Sequence, residues 1–182
     1  MSRIVIIGNA GGGKSTLARK LAQRRDLQHI EIDSLLWQQG WKLTPAEIYE
    51  RRHAEIIAGD DWLIDGLGRQ ATIPDRIARA TEIILIDMPL WMHFWLAAER
   101  RIAWSRGTPA HPPGGVTQMP STEALFRTIW EVEQTWMTEL RALCQEAEKQ
   151  GKTIIRLTDV HEIDAFAKSL SASVYLVQGR PA

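Results

Sequence analysis

Gly8-Asn9-Ala10-Gly11-Gly12-Gly13-Lys14-Ser15 stands directly behind the apolar run Ile4-Val5-Ile6-Ile7. That run is short, uninterrupted and β-branched, the pattern of a strand buried on both faces of a parallel sheet. After the octapeptide, Leu17, Ala18, Leu21 and Ala22 recur at helical spacing, which predicts a helix from about Lys14 to Arg25. A strand, a glycine-rich turn and a helix form the context in which G-x-x-x-x-G-K-[ST] binds phosphate. Glycines let successive N–H groups turn inward, and the helix start adds the positive end of its dipole. In this reading Gly8, Asn9, Ala10, Gly11, Gly12, Gly13, Lys14, Ser15 and Thr16 hold a nucleoside triphosphate. Lys14 reaches its β- and γ-phosphates, and the Ser15 hydroxyl ligates Mg²⁺. ATP and Mg²⁺ are the expected ligands.

Working outward, His29 to Ile32, Trp62 to Ile64, Ile83 to Ile86 and Thr153 to Leu157 read as further strands, and Ser173 to Val177 as a candidate last one. Thr44-Pro45-Ala46-Glu47 predicts a helix start, with Thr44 as its cap, and that helix ends near Gly59. Pro89 opens a long helix to about Arg106. A single helix is expected from about Thr122 to Lys149, and Asp159 with Glu162 forms a capping box for the last one. Strands alternating with helices predict an α/β fold: three layers, a central five-stranded parallel sheet and right-handed crossovers. The loops beyond the strands' carboxyl ends then share one cleft. Gly107 to Pro120 holds three glycines and four prolines in fourteen residues. It is too long for a simple connection and reads as a lid. One domain is expected over residues 1–182.

Composition bounds the partners. Lys plus Arg and Asp plus Glu are each 22, giving zero net charge, which argues against a bulk nucleic-acid binder. Cys144 is the single cysteine, so neither an internal disulfide nor a cysteine-rich zinc site is available, and a reducing, cytoplasmic setting fits. The longest uncharged apolar stretch, Met88 to Ala98 (with one histidine), is too short to span a bilayer. The five histidines show no metal spacing. Nothing in the sequence sets the oligomeric state.

Several residues are candidates for chemistry. Asp65 ends a strand facing the phosphate loop, either as a carboxylate that holds a Mg²⁺-bound water or as a turn aspartate before Gly66. Arg69, Arg76 and Arg79 offer guanidinium forks for an acceptor phosphate or carboxylate. Arg76 and Arg79, three apart on a helix, suit a solvated surface equally well. Arg100, Arg101 and Arg106 flank the lid, where cations neutralise transferring phosphate or simply suit a helix C-terminus. Trp37 and Trp41 either wall an acceptor pocket or pack in the core.

The phosphate loop, Asp33-Ser34-Leu35-Leu36-Trp37-Gln38-Gln39-Gly40-Trp41 and Trp62-Leu63-Ile64-Asp65-Gly66 resemble the adenylate-kinase-like P-loop proteins of the FlaR-related group (labelled DNA topology modulation proteins). The resemblance covers roughly residues 3 to 106. It implies a kinase-like fold and transfer of the γ-phosphoryl group of ATP to a small acceptor, a nucleoside monophosphate first. Asp65-Gly66-Leu67-Gly68-Arg69 resembles the Asp-Gly-Phe-Pro-Arg segment of adenylate kinases, which implies that Arg69 holds the acceptor. The strand-end Asp33 matches a carboxylate that orients or deprotonates acceptor hydroxyls in similar small-molecule kinases; as a helix N-cap it would have no such role. The chain departs from the pattern at Leu96, where an arginine is common, and at Leu67-Gly68-Arg69, where the FlaR-like group has Asn-Tyr. A kinase of a non-nucleotide compound and a slow regulatory ATPase acting through a partner are the alternatives.

Overall fold

The computed structural model describes residues 1–38, 42–107 and 121–172. The expected roles of Gly40 and Trp41, nearly all of the expected lid and the candidate strand Ser173 to Val177 lie outside them.

The chain begins in the strand β1 (Ser2–Gly8), which becomes the middle of the sheet. Its alternate side chains enter opposite layers, as a period of two requires. Val5 and Ile7 join one buried cluster, and Ile4 and Ile6 the other. α1 (Lys14–Arg25) follows, with the bounds that the sequence predicts. β2 (His29–Glu31) leads into a 3₁₀ turn over Ile32–Leu36 and a short antiparallel hairpin, β3 (Trp37–Gln38) and β4 (Lys42–Leu43). Then come α2 (Ala46–Ala58), β5 (Asp61–Asp65), α3 (Ile73–Arg79), β6 (Glu82–Ile86) and α4 (Leu90–Ser105). α5 (Thr122–Thr135), α6 (Met137–Lys149), β7 (Thr153–Leu157) and α7 (Val160–Ala172) complete the described chain.

The five-stranded sheet runs β2-β5-β1-β6-β7, and every pair in it is parallel. One covering layer presents Tyr49, Ile57, Ile73, Ile77, Val132, Met137 and Leu140; the other presents Leu17, Leu21, Met88 and Ala167. β1 stands between β5 and β6; the crossover after β1 runs to β2 on one side, and the crossover after β5 runs the other way, past β1 to β6. The carboxyl ends on either side of it therefore open onto a crevice. No helix among the described residues is long and apolar enough to cross a membrane.

Two local expectations are corrected. Thr44 caps nothing. Pro45 occupies the cap position of α2, and no side chain bonds the first turn. Thr44 is buried, with its N–H given to the Leu36 carbonyl and its own carbonyl taken by Arg69, so tertiary contacts replace local capping. The helix expected over Thr122 to Lys149 is two helices that part at Trp136. The break shifts the apolar phase by one residue. A straight helix carrying Ile129 inward would next bury Trp136, whereas here Met137 is fully buried and begins the series Met137, Leu140, Cys144 and Ala147. Half of the predicted box at α7 forms: Asp159 Oδ1 accepts the Glu162 N–H at 2.8 Å, while the Glu162 carboxylate accepts from the Thr158 N–H and hydroxyl.

Candidate functional site

A cleft of about 810 Å³ opens beyond the carboxyl ends of β1, β2 and β5. Ala10, Gly11, Gly12, Gly13, Lys14, Ser15 and Thr16 form its floor. Gly8 and Asn9, assigned to the same phosphate loop, lie beneath it. Gly8 has φ 145°, and a Cβ there would stand 2.2 Å from the Ile86 carbonyl oxygen, so no other residue fits between β1 and β6. Asn9 is fully buried; its Nδ2 donates to the Ile129 carbonyl on α5 at 2.9 Å, and its Oδ1 accepts the Ala10 N–H at 2.7 Å.

Lys14 opens α1 and points back over the loop. Its Nζ donates to the Asn9 carbonyl at 2.7 Å, and its two other protons have no acceptor among the described residues. Burial lowers its pKa, while Asp33 and Asp65 act against that and favour the charged form. An ammonium with uncommitted protons above a glycine-rich turn fits a phosphate chain.

Asp65 ends β5, is buried, and lines the same cleft as Ser15. Its Oδ1 lies 2.7 Å from His29 Nε2, a contact between adjacent parallel strands. Asp33 also lines the cleft. It sits inside the 3₁₀ turn rather than at its cap, and its Oδ1 accepts the Gly68 N–H at 2.7 Å. The cap alternative for Asp33 is thereby excluded. Gly66 and Gly68, both at positive φ, let the loop close around this carboxylate. A Cβ on Gly66 would stand 2.6 Å from Asp33 Oδ2, and one on Gly68 would stand 2.0 Å from the Tyr49 hydroxyl. Ser15, Asp65 and Asp33 offer hard oxygen donors of the kind Mg²⁺ takes. No cluster of three or more His, Cys, Asp or Glu among the described residues could hold a metal alone, so phosphate oxygens would complete its shell.

Arg69 and Arg76 stand behind the Gly66–Gly68 loop rather than on the cleft wall. Arg69 Nη2 donates to the Thr44 carbonyl at 2.7 Å, its guanidinium lies 5.6 Å from the Tyr49 ring centroid, and its Nε is buried without a partner. Arg76 is fully buried, so the solvated reading of it fails. Its Nη2 donates to the Leu67 carbonyl at 2.9 Å, and Nε and Nη1 have no partner among the described residues. Burial lowers its pKa, and Tyr49, Asp33 and Asp65 oppose that. Arg79 instead bonds the Ile57 and Ala58 carbonyls at the end of α2. Trp37 is half exposed on the β3–β4 hairpin and, like Arg69 and Arg76, is not part of the cleft wall.

Of the three arginines at the end of α4, Arg100 lines the cleft; Arg101 and Arg106 do not. Arg100 arrives with Leu96, Ala103 and Trp104, opposite Arg19, Lys20, Gln23 and Glu31. The α1 residues among these carried no motif. Only their position one and two turns beyond Lys14 signalled them. Tyr49 and His29 were equally silent in the sequence, because their partners lie 20 and 36 residues away.

Two solved structures share this architecture over nearly the whole chain. A shikimate kinase from Bacteroides thetaiotaomicron matches with a TM-score of 0.54 at 17% identity, covering 96% of this chain and 98% of its own. A shikimate kinase from Acinetobacter baumannii, in complex with shikimate, matches with a TM-score of 0.54 at 13% identity, covering 99% and 96%. The fold is that of a P-loop kinase. No family model matches the chain, and no curated protein matches it in sequence. The finer resemblance to the FlaR-related group rests on the quoted segments alone. Within this fold, Ala10 to Thr16, the carboxylates of Asp33 and Asp65, and Arg100 line one volume.

Proposed function

We propose that this chain transfers the γ-phosphoryl group of ATP to a small anionic acceptor, a nucleoside monophosphate first. The observation that carries the reading is the single cleft lined by Lys14, Ser15, Asp33, Asp65 and Arg100. Phosphate-binding groups, two carboxylates and a cation from the opposite wall converge there, as phosphoryl transfer requires.

Lys14 and the first turn of α1 bind the phosphate chain and fix its direction. Ser15 and Asp65 would hold Mg²⁺, which would supply charge neutralisation to the phosphate chain. Arg69 and Arg76 lie behind the Gly66–Gly68 loop and off the cleft wall in the ligand-free protein, so they would hold the acceptor's anion only once that loop shifts to admit it. Their unpartnered nitrogens support this role, because a buried guanidinium N–H without an acceptor is destabilising until an anion meets it. The acceptor oxygen forms the new bond to the γ-phosphorus as the bond to the β–γ bridging oxygen breaks, and ADP leaves. Arg100 faces the oxygens over which charge spreads. A phosphate acceptor is already nucleophilic and needs no base.

A hydroxyl-bearing small acid is the second reading. The exposed Asp33 carboxylate favours it: with Oδ1 held by Gly68, Oδ2 retains the capacity to take a hydroxyl proton. The first structures matched, both shikimate kinases, point the same way.

The test is ADP release across a panel of nucleoside monophosphates, sugars and small hydroxy acids, with Lys14→Met as control. Stimulation by a monophosphate that vanishes in the variant is expected. Stimulation by a hydroxy acid alone would select the second reading. Slow release that no acceptor stimulates would leave a regulatory ATPase and overturn both.

A further inference from the structure

The motif G-x-x-x-x-G-K-[ST] requires glycine at Gly8 and Gly13 only, yet Gly11 and Gly12 are glycines too. Both face one residue of α4, His93. A Cβ on Gly11, where φ is 79°, would stand 3.0 Å from the His93 carbonyl oxygen. A Cβ on Gly12 would stand 3.1 Å from His93 Cε1 and 2.9 Å from Ile86 Cγ2. The two additional glycines are what lets the loop lie down on this histidine.

The contact is also polar. His93 is fully buried, and its Nδ1 lies 2.8 Å from the Ala10 carbonyl oxygen. A carbonyl only accepts, so Nδ1 carries the proton and Nε2 is a bare lone pair, buried and without a partner. Burial lowers the His93 pKa, the neighbouring Lys14 charge adds to that, and the Ala10 bond and more distant Glu133 and Asp87 oppose it. The ring is therefore a neutral donor. Ala10 has both backbone groups engaged: its N–H by Asn9 Oδ1 and its C=O by His93.

From this geometry we infer that His93 is a positioning residue for the phosphate site, fixing the Ala10–Gly11 peptide so that the Gly11 N–H faces the bound phosphate. The peptide is trans and planar, so its N–H points opposite to its C=O. Drawing the carbonyl down onto the imidazole turns the Gly11 N–H away from α4's buried side, toward the cleft that Ala10, Gly11 and Gly12 line. Without the imidazole donor, a glycine-flanked peptide can flip and present its carbonyl to the phosphate, which repels it. The inference rests on the nucleotide-binding reading above.

The experiment measures Mg²⁺-ADP affinity by calorimetry for the wild type, His93→Leu and His93→Asn, with the Gly11 amide followed by NMR in each. Leucine fills the space without a donor; asparagine places an N–H near the Nδ1 position. The expected result is about tenfold weaker ADP binding for His93→Leu, the effect of one charge-assisted bond, and affinity within about threefold of wild type for His93→Asn. The Gly11 amide shift should change in the leucine variant even without nucleotide. If leucine perturbs folding, the asparagine variant still decides. Asparagine as weak as leucine, at equal melting temperature, makes His93 a packing residue and overturns the role. Equal ADP affinity in all three does the same. Failure of the wild type to bind ADP overturns the nucleotide reading itself.

Discussion

Arg76→Met separates an arginine kept for a ligand from one kept for the fold. Methionine preserves an unbranched stem and removes the guanidinium. Among the described residues that guanidinium makes one hydrogen bond, to the Leu67 carbonyl, and leaves Nε and Nη1 buried without partners. Each orphaned donor costs about 1–3 kcal/mol, and the lost bond is worth about 1.5–3 kcal/mol because its donor is charged. The longer-range attraction to Asp33 and Asp65 is also lost. Two costs removed, about 2–6 kcal/mol, against one bond of about 1.5–3 kcal/mol leave the variant between about 1 kcal/mol less and about 4.5 kcal/mol more stable, with the lost screened attraction lowering both ends. At roughly 2–4 °C per kcal/mol for a chain of this size, the melting temperature should fall by no more than about 4 °C and can rise by about 10 °C or more. Breaking a structural buried ion pair would instead cost about 3–5 kcal/mol and lower it by roughly 6–20 °C. Calorimetric melting gives the stability, and ADP release with the best acceptor of the panel gives the function. The expected variant melts within about 4 °C below the wild type or above it, binds ADP normally and loses acceptor affinity about ten- to hundredfold. A lower melting temperature with unchanged acceptor affinity refutes the reasoning.

Gly68→Ala should destabilise by about 3 kcal/mol or more, since its Cβ would meet the Tyr49 hydroxyl at a positive φ. Adding Tyr49→Phe should recover part of that in urea unfolding, and additive losses would refute the clash. His53, stacked on Tyr49 and pushed down to about 4 by burial and then by Arg76, makes stability depend on pH. The unfolded chain takes this proton near pH 6.5 and the folded one resists until about 4, so stability is lost as pH falls through that window. His53→Phe should remove about 2 kcal/mol of the decline between pH 7.5 and 5, and a decline identical to wild type would contradict the assignment. A neutral nucleoside should stimulate ADP release far less than its monophosphate, on the order of a thousandfold in kcat/KM, because it leaves Arg76 unpaired; comparable stimulation would remove the guanidiniums from the acceptor site.

The donor half was legible because its chemistry is contiguous. Gly8 to Ser15 is one stretch, its strand and helix announce themselves by period, and α1 and β7 have the predicted bounds. The acceptor half is assembled across the chain, and local rules misjudge it there. Thr44 satisfies the pattern of a helix cap, but its backbone is claimed by Leu36 and Arg69. Arg76 and Arg79 share a spacing that suits a solvated face, yet Arg76 is buried beneath a loop whose Leu67 carbonyl it holds. Trp136 breaks a helix that shows no glycine or proline at the break, because the sheet demands Met137. His93 shows no metal spacing and was silent for the same reason: its partner, Ala10, is 83 residues away.

The two halves of the site also differ in how completely their polar groups are satisfied, and the difference follows from what each must do. On the donor side, the Asn9 side chain and the backbone of Ala10 have partners within the protein, and of the groups described there His93 Nε2 and two protons of Lys14 are left without one among the described residues. A phosphate chain binds the same way every time, so its cradle gains from being rigid before the ligand arrives. On the acceptor side, Thr44 Oγ1, His53 Nε2, Arg69 Nε and two nitrogens of Arg76 are buried with no partner. Evolution retains such groups when a ligand completes them, since each is a standing cost that an apolar residue would avoid. The same cost is a source of selectivity. An acceptor that supplies an anion removes it, and one that does not leaves the guanidinium unpaired in a closed site. Under the proposed function, discrimination on the acceptor side therefore comes from the groups left unsatisfied.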